Sequence, residues 1–563
     1  MLFSKLATRQ VSLRALRAVP QATSVSSMNQ TPTPSRHFQT GHSFNRAHTE
    51  QVDKHQKLKY SVYDEDLRLF NDKLNSYSRV NQIRNTNMLT DLEQSMNIYT
   101  KLRSVNPFYP GDIARLLQTL HTSVRIARRD ANKYKSQKKD NSDAIEKIKE
   151  YFLIIAEDMR NGVVQASFWG VIHLYTAFAT MEIPQEGLNL WSALSDSKNS
   201  KCSKLMWSPV IIGSVIDLMT AVDAPFENIK QVYETSKATG GEASNIEQAM
   251  IGALIKNNMI GDALQLFTTM LKVYPDETYS LVRIHDRFVG DCDDIPTALR
   301  FFYEGIQKKT PYQATTHPST VVRLMQRIWA TESEPDFDLL ENVWKSYIAS
   351  TSPSMGEWMF NSTVNFYLKA FMEHYPEPTP EAVSRLKEVI QFYIKTRVNI
   401  SPIFLNTVLS AVQPWADRDI VFTIISAFQI YHLPEDFVSC RIILNSLENI
   451  DVEQDYIISR WNKLVDAQKN SRNNNNQPVI QQLDLLALLR ACYRPERELL
   501  FTSIFEDLLN RGQLTQKVIY EMKQSLHNNP RYSSKQEYFD KLLKKNFIEF
   551  KTNGVMEKHV PFN

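Results

Sequence analysis

The chain of 563 residues carries 65 basic and 62 acidic side chains, a net charge of +3, with 42% apolar residues, 15 glycines and four cysteines. Cys202, Cys292, Cys440 and Cys492 stand far apart without a CxxC pair, which argues against a zinc site and a disulfide framework and fits a reducing compartment. No apolar run nears the ~18 residues of a membrane-spanning helix. No Gly-rich phosphate loop, HExxH or nucleophile motif stands out, so the chain reads as a non-enzyme without cofactor or metal.

Residues 1–46 have the make-up of a mitochondrial presequence: basic Lys5, Arg9, Arg14, Arg17, Arg36 and Arg46 among Leu2, Phe3, Leu6, Val11, Leu13 and Leu16, and no acid. The stretch Arg36–Gly41 resembles a two-step matrix-processing site, with cuts near Phe38 and Arg46. Matrix import is therefore expected. With the first 49 residues set aside, 59 basic residues face 62 acidic ones. Any nucleic-acid affinity has to come from a local basic face rather than from net charge. Residues 47–90 are polar and read as a flexible, loosely packed extension with at most one helix.

Helical repeats begin near Asp91. A helix over 112–129 runs into a basic loop (Arg125, Arg128, Arg129, Lys133, Lys135, Lys138, Lys139), a helix over 143–160 follows, and a regular ladder starts at Gln165. The stretch Asn245–Leu271 carries its plainest unit, two amphipathic helices joined at Asn257–Gly261. The second helix holds a small or aliphatic residue followed four later by an aromatic, two positions that share a helix face. That phrase recurs as Gly187…Trp191, Ile229…Tyr233, Ala263…Phe267, Ala298…Phe302, Leu340…Trp344, Val389…Tyr393, Ile424…Phe428 and Ile457…Trp461. Its aromatics are 33 to 49 residues apart. Two helices per unit with a period near 35 is the mark of an all-α solenoid, here of about ten helix-turn-helix repeats over 91–466. An Asn-rich linker at 467–482 precedes a C-terminal repeat and cap at 483–563, where Lys535–Phe550 reads as an amphipathic closing helix.

Within each first helix we denote a reference position n, such that apolar residues at n+2, n+3 and n+6 form the buried stripe. Gly213, Gln248, Ser319, Asn406 and Arg441 fit as n, Asn361 fits less well, and the unit after Gln248 is ambiguous between Val282 and Arg283. The n+4 residues Asp217, Gly252, Arg323, Asn365, Ser410 and Asn445 include no large apolar side chain, so this face stays free of the core.

First helices such as Phe404-Leu405-Asn406-Thr407-Val408-Leu409 resemble those of pentatricopeptide repeats. The resemblance implies a right-handed solenoid whose first helices each face one RNA base, read by n and by the last residue of the repeat. The pairs carried over are Gln248 with Thr278, Ser319 with Gly356, Asn361 with Ser401, and Asn406 with Asp436, the last being similar to the family's uracil combination. Arg283, Arg287, Arg323, Arg327 and Arg441 lie on or near the same face as candidate phosphate contacts. The implied RNA face thus comprises Gln248, Arg283, Arg287, Ser319, Arg323, Asn361, Asn365, Asn406, Ser410, Asp436, Arg441 and Asn445.

Met96–Arg103, Val171–Phe178, Phe288–Cys292, Tyr431–Pro434 and Arg441–Leu444 are similar to stretches of a budding-yeast family of mitochondrial mRNA-stability proteins. This implies a monomer that binds AU-rich elements near mRNA 3′ ends in the matrix. The mitoribosome, translational activators and the inner-membrane surface are its further candidate partners. A tetratricopeptide-like adaptor is the alternative, although no first helix carries that family's Trp-x-x-Leu-Gly-x-x-Tyr. The ladder aromatics are expected in the core, Asp291, Asp293 and Asp294 in helix capping, and His285 in a buried slot if Val282 is n.

Overall fold

Few glycines and a 3.6-residue apolar period leave little but helix to form, and helices make up nearly all of the structure. The computed structural model describes residues 63–79, 88–105, 107–133, 138–196, 200–240, 243–314, 316–330, 335–352, 359–396, 401–470, 480–546, 548–550 and 556–558. The presequence-like segment 1–46 lies outside them. Two compact units divide at Thr315/Thr316, inside the span 91–466 read from the sequence as one solenoid.

The N-terminal unit opens with α1 (Asp64–Arg79), α2 (Met88–Leu102), α3 (Pro110–Lys133) and α4 (Lys138–Arg160). Repeats follow as α5 (Phe168–Thr180) with α6 (Pro184–Ser195), a short α7 (Ser200–Met206), then α8 (Pro209–Ala221) with α9 (Phe226–Gly240). The last two pairs are α10 (Ser244–Lys256) with α11 (Ile260–Val273) and α12 (Thr278–Asp291) with α13 (Ile295–Ile306). In the C-terminal unit the pairs are α14 (Pro318–Trp329) with α15 (Phe337–Ser350), α16 (Asn361–His374) with α17 (Pro380–Thr396), and α18 (Pro402–Ala411) with α19 (Arg418–Ile430). They continue as α20 (Phe437–Ser446) with α21 (Gln454–Asn470), α22 (Gln482–Ala491) with α23 (Glu498–Asn510), and α24 (Gln516–His527) with α25 (Ser533–Lys545).

First helices stack on first helices, as α3–α5–α8–α10–α12 in one unit and α14–α16–α18–α20–α22–α24 in the other. The joints explain how this is done with so few glycines. Glu182, Asp223 and Asn258 end α5, α8 and α10 in the left-handed region, at φ of 61°, 54° and 57°. In each, the next N–H reaches back to a carbonyl of the last turn: Ile183 to Phe178, Ala224 to Met219 and Met259 to Leu254. This is the Schellman closure, with Asn or an acid in the place glycine usually takes.

The packing phrase is the core. All eight of its small or aliphatic members are buried, as are Phe267, Phe302, Trp344, Tyr393, Phe428 and Trp461. Trp191 and Tyr233 are half-buried because each keeps a polar atom to satisfy: Trp191 Nε1 donates to the Met206 carbonyl and Tyr233 Oη to Glu247. His285 occupies the buried slot, its Nδ1 2.9 Å from Tyr312 Oη, and burial pushes its pKa down to about 4. Asp294 caps α13 by accepting from the Thr297 N–H.

Three sequence expectations are corrected. The 47–90 extension holds α1, whose Phe70 and Leu74 are fully buried, with Phe70 5.2 Å from the Phe108 ring. It is core, hidden in the sequence by charges on the other helix faces. Most of the basic run is helix rather than loop: α3 continues to Lys133, α4 starts at Lys138, and Arg128 pairs with Glu182. The closing helix stops at Lys545, where Asn546 caps it with its backbone N–H and its side-chain amide on the Leu542 carbonyl. Beyond it, β1 (Ile548–Phe550) pairs antiparallel with β2 (Met556–Lys558).

Candidate nucleic-acid interface

Burial fixes the register of the repeats. In nine first or equivalent helices the residues at n−2, n−1, n+2, n+3 and n+6 are all buried when n is Ile172, Gly213, Gln248, Val282, Val322, Asn365, Asn406, Arg441 and Leu486. Gly213, Gln248, Asn406 and Arg441 stand where the sequence put them, and the ambiguous unit resolves to Val282. Ser319 and Asn361 are corrected by about one turn, to Val322 and Asn365. Apolarity alone does not fix the register: Val322 is apolar but only half-buried, whereas Thr363 is polar but fully buried, its hydroxyl donating back to the Phe360 carbonyl at 2.8 Å. Ser319 instead sits exposed at the start of α14, 2.8 Å from His317 Nδ1, and Asn361 is the half-buried first residue of α16. Asn365 then takes Ser401 as its end-of-repeat partner.

In the N-terminal unit the positions of Gly213, Gln248 and Gly252 are covered by the protein itself. A Cβ on Gly213 would meet the Asn245 carbonyl at 2.8 Å, so the next helix backbone closes over that n position. Gln248 is buried, on a helix whose residues Ile246–Ile255 are all buried. Arg287 reaches from α12 across Gly252 of α10 to Asp217 of α8, with Nη2 2.7 Å from Oδ1. The carboxylate pushes the guanidinium pKa further up. Arg287 is thus a strut between repeats rather than a phosphate contact. Arg283 is exposed and lies over the exposed Tyr279 ring at 5.6 Å.

Gly252 is required by this strut, since a Cβ there would fall 1.5 Å from Arg287 Nη1. Gly252→Ala should therefore expel the guanidinium and cost about 1–3 kcal/mol, the value of a charge-assisted bond. The check is denaturant unfolding in a double-mutant cycle with Arg287→Ala. The same loss in both backgrounds would mean the strut does not exist in solution.

A cavity of about 740 Å³ runs across α16, α18 and α20, and its lining includes Asn365, Lys369, Ile403, Asn406, Ser410 and Val438. Asn365, Lys369 and Ser410 are exposed, whereas Asn406 is only 7% exposed. Asn406 Nδ2 donates to Ser439 Oγ at 3.0 Å, and its Oδ1 has no hydrogen-bond partner. Asp436 caps α20, accepting at Oδ1 from both the N–H and the hydroxyl of Ser439. The pair Asn406/Asp436 is therefore brought together, through Ser439.

Arg441 is corrected, because its guanidinium is already engaged. Nε pairs with Asp484, Nη2 donates to Gln481 at 2.7 Å, and the group lies over the Phe437 ring. Arg323 and Asn445 are half-buried, and Asn445 Oδ1 has no partner.

One set of residues escaped the sequence reading. Among the described residues ten large apolar side chains are exposed, and five fall at n−3: Trp169, Tyr279, Ile403, Val438 and Leu483. Half the exposed apolar surface groups at a single repeat position is a pattern rather than chance scatter. Ile403 and Val438 line the same cavity as Asn406. A scan for apolar residues off the buried stripe at a fixed repeat offset would have found them.

Two family models match the chain. One described as the RMD9 N-terminal domain matches residues 50–206, and one described as the RMD9 middle domain matches 226–434, together nearly two thirds of the chain. The chain is 26% identical over 451 residues to the mitochondrial RNA-binding protein RMD9 of Kluyveromyces lactis, covering 78% of this chain and 65% of that one. It is 27% identical over 406 residues to the Saccharomyces cerevisiae RMD9, covering 70% and 61%. It spans about three fifths of the length of the curated relatives it matches. The solved structure of yeast Rmd9p in complex with a 16-nt target RNA has the same fold, with a TM-score of 0.66 at 22% identity over 86% of this chain and 96% of that one.

Proposed function

Because the chain belongs to the RMD9 family, we propose that it binds single-stranded RNA in mitochondria, on the first-helix face of its repeats. The observation that carries this reading is the cavity over α16–α20, which exposed Ile403 and Val438 line together with the nearly buried Asn406. An unpaired base is a flat apolar disc with a polar edge. Such a disc can sit between Ile403 and Val438 and present its edge to Asn406, the usual logic of single-strand recognition. Asn365 offers a second amide one repeat earlier. Exposed Lys369 supplies positive charge for the backbone.

The reading extends to occupancy without chemistry. RNA held along the repeats is denied to exonucleases and presented to processing or translation, with AU-rich segments near mRNA 3′ ends as the preferred targets. Matrix localisation follows from the acid-free N-terminus, and the mitoribosome, translational activators and the inner-membrane surface are proposed neighbours of a monomer.

A binding titration tests this, with AU-rich and scrambled single strands at two salt concentrations. Asn365→Ala with Asn406→Ala should cost roughly 1–3 kcal/mol per lost base-edge contact, and only for the preferred strand. Ile403→Ala should weaken both strands, by about 1–3 kcal/mol, as loss of a stacking wall does. If the double variant and Ile403→Ala bind both strands as tightly as the parent, RNA is not read on this face.

A further inference from the structure

Beyond Asn406 the first-helix face changes character. The next two reference positions offer a base no free hydrogen-bonding edge: Arg441 is held by Asp484 and Gln481, and Leu486 is aliphatic. The n+4 residues run on instead. They are Lys369, Ser410, Asn445 and Arg490 on α16, α18, α20 and α22, helices that stack in that order. The row ends in a cation.

Arg490 stands apart from the charges around it. Arg441 pairs with Asp484, Arg494 with Asp451 at 3.6 Å, and Lys535 with Glu498. Arg497 donates to the carbonyls of Leu447, Ala491, Ile450 and Val452. Among the described residues Arg490 has no hydrogen-bond or ion-pair partner for its guanidinium. It lies over the Tyr532 ring, 5.1 Å from the centroid, and that ring is itself buried. The ring covers one face of the guanidinium and leaves its edge for a ligand. Nε is enclosed without an acceptor, but the side chain as a whole is half-buried, so the terminal nitrogens are the ones a ligand reaches. A half-buried cation without a counter-charge gives up hydration for nothing within the chain. An oxyanion at those nitrogens supplies what is missing, and the oxygens of a phosphodiester match their forked geometry.

We propose that Arg490 is a phosphate site for the RNA strand, and that the repeats of α20 and α22 hold the strand by its backbone without selecting bases. The inference rests on the RNA-binding reading above. It makes the end of the track an anchor: it adds affinity and salt dependence there and no sequence preference.

The test uses the full chain and AU-rich single strands, shortened one nucleotide at a time from each end and titrated at several salt concentrations. For the parent, trimming one end should remove about tenfold in affinity, the value of one charge-assisted contact, whatever bases are removed. Arg490→Ala should show that loss on the longest strand already, with a salt slope lower by about one. Trimming the same end should then cost it nothing more. Arg490→Lys, which keeps the charge without the fork, should keep the slope and recover part of the affinity. Without RNA, Arg490→Ala should unfold at the parent's denaturant midpoint, because the guanidinium makes no bond within the protein.

Equal affinity and slope for Arg490→Ala and the parent on the longest strand overturn the anchor and leave RNA binding standing. A parent that binds no single strand overturns both. A midpoint well below the parent's makes Arg490 structural and overturns the site, as does a loss that is the same on long and trimmed strands. Inorganic phosphate at matched ionic strength is the last arm. If it stabilises the parent but not Arg490→Ala while RNA affinity is unchanged, the site takes free phosphate and not the strand.

Discussion

Trp344→Ala is expected to cost about 3–5 kcal/mol, the penalty for deleting a large buried ring that its surroundings cannot refill. Trp344 is fully buried on α15 and lies face to face with Tyr367 of α16, with centroids 4.3 Å apart and planes at 11°. Tyr393 and Phe392 of α17 stand at 6.4 and 5.9 Å. One indole therefore joins the second helix of a repeat to both helices of the next. The neighbours are poorly placed to collapse into the space. Tyr367 donates its hydroxyl to buried Glu341, which also receives Arg385 and Lys345, and Tyr393 is stacked on Phe404 at 3.8 Å. The indole N–H has no partner, so the loss is one of packing alone. In a repeat protein the damage should stay close to the interface that is cut. Hydrogen exchange should accelerate in α15 to α17 first, and the denaturant midpoint of the C-terminal unit should fall. A loss under about 1 kcal/mol would mean that this interface is looser in solution than the ring geometry implies.

How much of this was legible in the sequence depends on whether a residue's role is set by its own repeat or by its neighbours. Trp344, Phe302 and Phe267 could be assigned to the core from spacing alone, because i and i+4 share a face whatever surrounds the helix. The clean apolar stripe placed Asn406, and its pairing with Asp436 came from the resemblance to pentatricopeptide repeats. Thr363 could not be placed this way. A polar residue that satisfies itself on its own helix can be buried, and nothing in its letter says so. Arg287 and Arg441 are the deeper failures. Both sit on the predicted face, yet their partners Asp217 and Asp484 lie 70 and 43 residues away, and only the stacking of helices brings them together. The n−3 row was visible in principle, but single exposed Ile or Val residues carry no signal until the repeat register is known.

Arg441→Ala separates the two roles that this arginine could play. A phosphate contact on the surface would cost little stability and would lower the salt slope of RNA binding by about one. The geometry points elsewhere. Asp484 is fully buried, and among the described residues its carboxylate is met beyond Arg441 by the Gln481 N–H at 2.7 Å and by Gln468 Nε2 at 3.2 Å. Removing the guanidinium strands a buried charge, which typically costs 3–5 kcal/mol, roughly, because desolvation has been suffered and the compensating cation is gone. The strain falls on the α20–α22 contact, since Arg441 belongs to the first and Asp484 to the second. Arg441→Lys should recover only part of the loss, as a point charge cannot bridge Asp484 and Gln481 together. Arg441→Ala with Asp484→Asn should recover more, because it removes the stranded charge while the Asn amide still bonds its neighbours. Unfolding of the three variants in denaturant decides the order, and RNA titrations at two salt concentrations, under conditions where each is folded, decide the slope. Unchanged stability with a flattened slope would return Arg441 to the RNA face and dissolve the ion pair. A large loss rescued by Asp484→Asn, with the slope intact, makes Arg441 a joint between repeats.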